Sequence, residues 1–262
     1  MSERAAVVRI GVVELGAGRP KICVPLTGAT LEELRVEAAA VTPAVADLVE
    51  LRIDRFLAVR DPDAVRGAVA VVRATLDTAL PLLFTFRTAA EGGGADLAPA
   101  AYRDLLRAAV ALDGVAAVDL QMALPSDVIS AVVAAARAAG TPVVMSFHDF
   151  RATPSRQEIL DRLVRQQELG ADVVKLACMP SAPEDVLTLL SATSEYASRP
   201  DARPAITMAM GPLGVVSRLA GEPFGSSLTF GTVGAASAPG QVDAGALRAA
   251  LELIHAAQPC SS

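Results

Sequence analysis

Short runs of Val, Ile and Leu recur along the chain at intervals of a few tens of residues, and most of them are continuously apolar. A strand has this pattern when both of its faces are buried, as in a parallel sheet covered by helices. Eight runs are predicted as strands: Lys21–Pro25, Asp47–Ile53, Pro81–Phe86, Val115–Leu120, Pro142–Phe147, Asp172–Ala177, Pro204–Met210 and Ser226–Phe230.

The segments between these runs have helical periodicity and carry signals for helix ends. Thr30-Leu-Glu-Glu33 has the spacing of a capping box, and Thr153-Pro154 would place Pro at a first helical position. Gly140 and Gly170 stand where helices are expected to stop. The chain is therefore predicted to alternate strands and helices.

Eight strand-then-helix units predict an α/β protein, a closed (β/α)8 TIM barrel rather than a doubly wound sheet. Eight repeats match barrel closure, and no Gly-x-Gly-x-x-Gly follows the first strand. Val7–Ile10 and Val12–Leu15 precede the barrel and predict an N-terminal β-hairpin that closes its bottom. Because 262 residues suit one such barrel, a single catalytic domain over 1–262 is expected.

Composition and charge exclude several classes of partner. The formal net charge is −6 and the pI is about 5.0, without a Lys/Arg cluster, which argues against nucleic-acid binding. Met1–Gly18 lacks the pattern of a signal peptide, and no apolar run reaches the roughly 18 residues that a membrane span needs. The sequence predicts a cytoplasmic protein that acts on a small molecule, without membrane or nucleic-acid partners.

Soft metal ligands are scarce. The three cysteines (Cys23, Cys178 and Cys260) are odd in number and widely spaced, and there are only two histidines. This usage favours a reducing compartment over a disulfide framework or a zinc site. No metal and no cofactor are expected.

In a (β/α)8 barrel the active site lies at the carboxyl ends of the strands. Lys175 is the most informative residue there, because only two of the 23 Lys and Arg residues are lysines and this one interrupts an apolar run. An apolar interior and neighbouring arginines would favour the neutral, nucleophilic amine that imine-forming enzymes use. Alternatively, the side chain extends outward to solvent or pairs with Glu50. Lys21 begins the first strand, at the barrel bottom, and is interpreted as structural.

His148 ends the strand beside the one that carries Lys175. Histidine suits general acid–base catalysis near neutral pH, although a packed histidine bonded to Asp149 or to a backbone carbonyl is an equally good interpretation. His255 lies in the terminal helix and is interpreted as a surface or packing residue.

Further polar residues close the other strands, and the alternation in Glu50-Leu-Arg52-Ile-Asp54 predicts that Glu50, Arg52 and Asp54 point to one face of the second strand. Glu50 and Glu91 could orient a histidine or bind hydroxyls, while Arg52, Arg87 and Arg218 could grip a carboxylate. Exposed salt bridges are the alternative for any one of them. The last strand leads into a loop with Ser237 and Gln241, in the region where barrels bind anions, and Met208 and Met210 are predicted to face inward.

Over residues 7–257 the chain resembles type I 3-dehydroquinate dehydratases of the shikimate pathway. The order and spacing of six motifs carry this resemblance: Glu50-Leu-Arg52-Ile-Asp54, Phe84-Thr-Phe-Arg87 with Glu91-Gly-Gly, Met145-Ser-Phe-His148-Asp-Phe150, Lys175 with Met179-Pro180, Ser217-Arg218-Leu-Ala-Gly221 with Phe224-Gly225, and Ser237-Ala-Pro-Gly-Gln241.

The resemblance implies a cofactor-free syn dehydration of 3-dehydroquinate to 3-dehydroshikimate, a step of aromatic amino acid biosynthesis, in a homodimer. Lys175 would form an imine with the ring ketone, His148 would carry protons, and Glu91 would hold the imidazole. The implied substrate-binding residues are Glu50, Arg52, Arg87, Met208, Met210, Arg218, Ser237 and Gln241.

Three positions depart from the family pattern. Pro25 stands where related chains often carry Ser, Gln121 replaces an expected acidic residue, and Met210-Gly-Pro-Leu-Gly214 replaces a more polar turn. Neither Lys175 nor His148 is among these positions, so the departures affect substrate affinity and loop closure more than the type of reaction.

Two other functions share these features. A class I aldolase or transaldolase uses the same barrel and a lysine imine, but a sugar-phosphate substrate needs a dianion site, whereas this mouth offers an Arg and a Ser/Gln loop suited to a monoanion. A non-catalytic ligand sensor on this barrel usually lacks the nucleophile or the base and carries extra domains. Both Lys175 and His148 are present here, which favours an enzyme.

Overall fold

The computed structural model describes residues 6–234 and 240–258. A two-stranded hairpin comes first, followed by eight long strands and one short edge strand. The strands are β1 Val8–Ile10, β2 Val13–Leu15, β3 Lys21–Leu26, β4 Leu48–Arg52, β5 Leu82–Thr85, β6 Val115–Gln121, β7 Val143–Asp149, β8 Val173–Cys178, β9 Ala205–Ala209, β10 Leu228–Thr232 and β11 Val242–Asp243. Each of the eight predicted runs contains or overlaps one of the strands β3 to β10.

A helix follows each of these eight strands. The helices are α1 Leu31–Ala40, α2 Pro62–Thr75, α3 Pro99–Ala109, α4 Ser126–Ala139, α5 Arg156–Glu168, α6 Pro183–Ala197, α7 Val215–Leu219 and α8 Ala244–Ala256. None of the helices within 6–234 and 240–258 is long and apolar enough to cross a membrane.

The predicted helix ends agree with the structure except at one place. Thr30 and Glu33 form the predicted capping box, and Gly140 ends α4 in the left-handed conformation, at φ 68°. The start predicted at Thr153-Pro154 is wrong, because Ser155 and Glu158 form a capping box that starts α5 at Arg156.

The strands form a parallel barrel in chain order. β3 pairs with β4 and each strand pairs with the next as far as β9. Closure comes from β10, which pairs with β3 and meets β9 through a bridge between Ala205 and Ser226, where the Ser227 amide donates to the Ala205 carbonyl at 2.7 Å. β11 extends the sheet beside β10. The (β/α)8 prediction is confirmed.

The hairpin packs against the amino ends of the barrel strands. Ile10 and Leu15 are fully buried in one apolar cluster with residues that lie near the amino ends of the barrel strands, such as Cys23 and Leu48. Its turn uses Gly11 at φ 56°, where a Cβ would lie 2.8 Å from Pro81. The predicted hairpin at the barrel bottom is therefore present, and the open end lies at the carboxyl ends of the strands.

Candidate active site

A cavity of about 280 Å³ opens at the carboxyl ends of the barrel strands. Every predicted site residue that the structure describes lines it: Glu50, Arg52, Arg87, Glu91, His148, Lys175, Met208, Met210, Arg218 and Gln241. Ser237 lies outside the described residues. Side chains from most of the barrel strands or the segments after them therefore converge on one space.

Lys175 lies in the middle of β8 with its side chain in the barrel. Its backbone is held on both sides by Gln166 of α5, whose Oε1 accepts from the Lys175 amide and whose Nε2 donates to the Lys175 carbonyl, both at 2.9 Å. The side chain is 3% exposed. Its Nζ lies 3.1 Å from Asp119 Oδ2, 3.5 Å from Glu50 Oε1 and 4.6 Å from the ring centre of Phe230.

These contacts correct one expectation. The sequence predicted an amine among apolar groups and arginines, but two carboxylates flank Lys175, and the pairing with Glu50 raised as an alternative is present. The Lys175 nitrogen therefore lies in an ionic environment rather than an apolar one.

Asp119 is the functional residue that sequence reasoning missed. It is fully buried on β6, where its Oδ1 accepts from Arg87 Nη2 at 2.7 Å and from Ser146 Oγ at 2.6 Å. Burial alone would raise its pKa, but Arg87 and Lys175 together hold the pKa below its ordinary value. An acid inside the apolar run Val115–Leu120 was the available signal, of the same kind that identified Lys175.

His148 is held by Glu91 at two points. Glu91 Oε2 lies 2.9 Å from His148 Nδ1 and accepts from the His148 amide at 3.1 Å. With a carboxylate at Nδ1, that nitrogen is assigned the proton and Nε2 keeps its lone pair. Burial, Arg87 and Lys175 lower the pKa of His148 well below its ordinary value, which keeps the ring neutral and able to accept a proton.

Glu91 reaches this position through a closely packed turn. The 3-10 turn Ala89–Glu91 is followed by Gly93, where a Cβ would lie 1.7 Å from the Arg87 carbonyl oxygen. The Gly94 amide donates to Asp54 Oδ2 at 2.9 Å. Burial raises the pKa of Glu91 although Arg87 opposes the shift. The glycines let the turn lie directly against the strand end.

Arg52 and Asp54 do not share one face of a strand. β4 ends at Arg52 and the chain enters a 3-10 turn, Ile53–Arg55, so the alternation predicted from Glu50 to Asp54 stops there. Asp54 is buried behind the cavity and accepts two hydrogen bonds from Arg52, at 2.8 and 2.9 Å. It orients the guanidinium that lines the cavity.

Arg218 projects from α7 and is 3% exposed. Within residues 6–234 and 240–258 no carboxylate lies within 4 Å of it; Nη1 lies 3.6 Å from Met208 Sδ, and Nε has no hydrogen-bond partner. Burial lowers the pKa of Arg218 to about 10. A buried cation without a counter-ion is a favourable place for an anionic substrate group.

All three departures from the family pattern lie near the cavity, and the third contributes Met210 to its lining. The other two are single residues. Pro25 lines the cavity and offers no hydroxyl. Gln121 instead braces the strand end beside it: its Oε1 accepts from the Thr88 amide at 2.8 Å and its Nε2 donates to Thr88 Oγ1 at 3.0 Å. Both change the wall of the site and leave Lys175 and His148 in place.

Fold and cavity together define a class: (β/α)8-barrel proteins with a buried lysine, a neutral histidine and a buried arginine at one mouth. The family model of type I 3-dehydroquinase matches residues 22–258. The chain therefore belongs to the type I 3-dehydroquinase family, as its motifs predicted, and is an enzyme of the lyase class.

Individual relatives agree with this assignment. A 3-dehydroquinate dehydratase of Klebsiella pneumoniae (strain 342) is 47% identical over 237 residues, which cover 90% of this chain and 94% of that protein. One from Bacillus licheniformis is 45% identical, with 95% and 97% covered. A crystal structure of the type I enzyme from Clostridium difficile, with covalently modified comenic acid, is 40% identical with a TM-score of 0.93, covering 97% of this chain and all of that one.

Proposed function

We propose that this protein dehydrates 3-dehydroquinate to 3-dehydroshikimate by a syn elimination through an imine on Lys175. The relatives named above are 3-dehydroquinate dehydratases, which supports the substrate. One observation carries the mechanism: a buried lysine and a neutral histidine, on paired strands β7 and β8, line the same cavity as Arg218, which pairs with no carboxylate among the residues that the structure describes. This proposal needs neither a metal nor a cofactor.

The first step makes a carbon–nitrogen bond. The Lys175 ammonium gives up one proton and the resulting amine adds to the ring ketone; that proton and a second one from the nitrogen leave with the ketone oxygen as water, so that a protonated imine remains on Lys175. The positive nitrogen then accepts electron density from the adjacent carbon–hydrogen bond. A proton that water could not remove at neutral pH becomes acidic enough for a histidine.

His148 carries the protons. Its Nε2 takes the proton beside the imine, the electron pair forms an enamine, and the enamine expels the ring hydroxyl, which receives a proton and leaves as water. Because one imidazole serves both the proton and the hydroxyl, both leave from the same face of the ring, which gives syn stereochemistry. Water then hydrolyses the imine of the product, which restores the ketone and releases Lys175, and Glu91 holds the imidazole through Nδ1 in all of these steps.

Arg218 is the proposed partner of the substrate carboxylate, together with Gln241 and, in the segment outside the described residues, Ser237. The ring hydroxyls are assigned to the groups at the opposite wall, and the apolar face of the ring to the two methionines. These assignments comprise Glu50, Arg52, Arg87, Met208 and Met210. Arg87 already donates to Asp119 and Ser146, so it also fixes the wall itself.

The proposal extends to the whole molecule: one catalytic domain over 1–262, acting in the cytoplasm as a homodimer on a small-molecule substrate, without nucleic-acid or membrane partners. The net charge of −6 and the local arginines support an anionic substrate steered by its site rather than by a basic surface.

Borohydride trapping tests the mechanism. Incubation with 3-dehydroquinate and sodium borohydride should reduce the imine to a stable secondary amine, inactivate the enzyme and add the mass of one reduced ligand to the peptide that contains Lys175. Trapping of a sugar phosphate instead of dehydroquinate would indicate an aldolase. Thermal stabilisation by dehydroquinate without trapping or turnover would indicate a sensor.

A further inference from the structure

The two carboxylate oxygens of Asp119 have different partners. Oδ1 accepts from both Arg87 Nη2 and Ser146 Oγ, whereas Oδ2 faces Lys175 Nζ alone, at 3.1 Å. Two donors on one oxygen fix the carboxylate plane, so the second oxygen is aimed at the reactive nitrogen. We infer that Asp119 is the counter-ion of the Lys175 nitrogen, both as ammonium in the free enzyme and as protonated imine during the reaction.

This inference rests on the proposed imine, and the charge balance of that step supports it. An ammonium and a ketone give a protonated imine and one water, and the two protons that leave with the ketone oxygen come from the nitrogen. The nitrogen is positive before and after the step. A counter-ion fixed by its own partners therefore meets the same charge in both states and needs no rearrangement.

Glu50 is less suited to this role. Its Oε1 lies farther from Lys175 Nζ, at 3.5 Å, and accepts at 2.8 Å from Thr85 Oγ1. Glu50 lines the cavity and can bind substrate hydroxyls, whereas Asp119 is fully buried and does not line it. The two carboxylates thus have different roles: Asp119 pairs with the lysine nitrogen, and Glu50 is available to the substrate.

Other ionisable groups face the same cluster. Cys23 on β3 and Tyr102 on α3 are buried, and burial raises the pKa of both, so they stay neutral. Among the remaining neighbours, His148 is kept neutral. The remaining groups of the cluster are the carboxyl groups of Glu50, Asp119 and Glu91 and the basic groups of Arg52, Arg87 and Lys175. Removing Asp119 therefore removes the carboxylate nearest to the nitrogen.

The test measures how readily the imine keeps its proton. Cyanoborohydride reduces protonated imines and survives in mildly acidic solution, so the yield of reduced adduct with 3-dehydroquinate is measured as a function of pH. In Asp119→Asn, which keeps size and shape, the midpoint of the alkaline loss of trapping should move to a pH lower by roughly one to three, since a neighbouring opposite charge shifts a pKa by that much. Trapping at alkaline pH should fall at least tenfold.

Controls separate this role from a structural one. Glu50→Gln should move the midpoint less than Asp119→Asn does; a larger movement in Glu50→Gln would overturn the inference. Ser146→Ala removes one of the donors that fix Asp119 and should move the midpoint in the same direction by a smaller amount. If thermal unfolding shows that Asp119→Asn does not fold, Ser146→Ala decides, and an unmoved midpoint there overturns the inference.

The inference and the proposed function fail in different ways. If the wild-type enzyme forms no adduct with dehydroquinate, the imine mechanism itself is wrong. If the wild-type enzyme is trapped and Asp119→Asn shows the same midpoint, the imine stands and only the assignment of Asp119 is wrong.

Discussion

The two lysines of the chain occupy opposite ends of the barrel and have different partners. Lys21 begins β3 at the hairpin end, where its partly buried Nζ donates to the carbonyl oxygens of Ala17 and Arg19, both at 3.2 Å. Lys175 is buried near the open end between carboxylates that have further partners of their own. Backbone carbonyls only satisfy an ammonium, whereas a carboxylate fixed by other donors also sets its position and charge.

The same contrast extends to the two halves of the barrel interior. Towards the hairpin the strands contribute Cys23, Leu48 and other apolar residues, which pack on Ile10 and Leu15. Towards the mouth the interior is ionic. Apolar packing contributes stability through burial, while a buried ionic cluster contributes little net stability and has to be explained by function. Substitutions at the two ends should therefore have separable effects.

The largest effect is expected at Lys175. Lys175→Ala should lower turnover on the order of 10⁴-fold or more, because removing one member of a set of residues that act together abolishes nearly all of the catalytic activity. Lys175→Arg keeps the charge but forms no imine and should be equally inactive. Lys21→Ala is the matched control and should retain the wild-type rate, as measured by the ultraviolet absorbance of the enone product. An inactive but folded Lys21→Ala would contradict the contrast.

Substitution of His148 should lower turnover less than substitution of Lys175 does. His148→Ala should reduce turnover by roughly 10²- to 10⁴-fold, which is what a general acid–base group contributes. Slow trapping of the imine by borohydride should survive, since Lys175 remains. His255→Ala serves as the control, because His255 is an exposed residue of α8 whose ring is hydrogen-bonded to Glu222, far from Lys175 in the sequence and absent from the cavity lining. Near-normal turnover of His148→Ala would leave His148 a packing residue.

Arg218 should affect binding more than chemistry. Arg218→Met keeps the apolar stem and removes the charge, so KM for dehydroquinate should rise roughly 10- to 100-fold, the loss of a charged hydrogen-bonded contact. The substitution removes a buried cation that pairs with no carboxylate in the described part of the chain. The midpoint of thermal unfolding of the free protein should therefore stay the same or rise. The exposed Arg107→Ala should change neither quantity. A fall in kcat at unchanged KM would refute a binding role.

The pH profile should reflect the lowered pKa of His148. Neutral His148 is the active form, so kcat/KM should stay constant as pH falls through 6.5 and decline only at clearly lower pH. Unfolding has to be monitored over the same range, so that loss of structure is not taken for titration. An acidic limb at or above 6.5 would mean that the cations around the ring do not act as the structure indicates.

The smallest catalytic effect is expected at the barrel bottom. Leu15→Ala removes a fully buried side chain of the hairpin and should cost about 2–5 kcal/mol of unfolding free energy. Urea unfolding measures this loss. Below the unfolding transition kcat and KM should match the wild type. A change in kcat or KM without a change in stability would show that the hairpin end of the barrel is coupled to the active site.

The sequence predicted the barrel because buried parallel strands leave a strong signal in continuously apolar runs. It predicted Lys175 because a rare residue type interrupted such a run. Asp119 breaks its run in the same way but could not be assigned from the sequence, because its partners Arg87 and Ser146 come from other parts of the chain.

Local errors had local causes. The strand alternation through Asp54 failed because a 3-10 turn changes the direction of side chains, and the start of α5 moved because Ser155 and Glu158 form a better cap. Long-range contacts, such as that of Gln166 with both sides of the Lys175 backbone, leave no pattern in sequence spacing.

The hairpin that fills the barrel bottom also determines by which route substrate enters and product leaves the cavity. With Ile10 and Leu15 packed into that end, the cavity exchanges with solvent through its mouth at the carboxyl ends of the strands. A product molecule has to withdraw along the route by which its successor enters, so occupancy is strictly sequential. The two strands of the hairpin thus leave substrate and product to share the opening at the other end of the barrel.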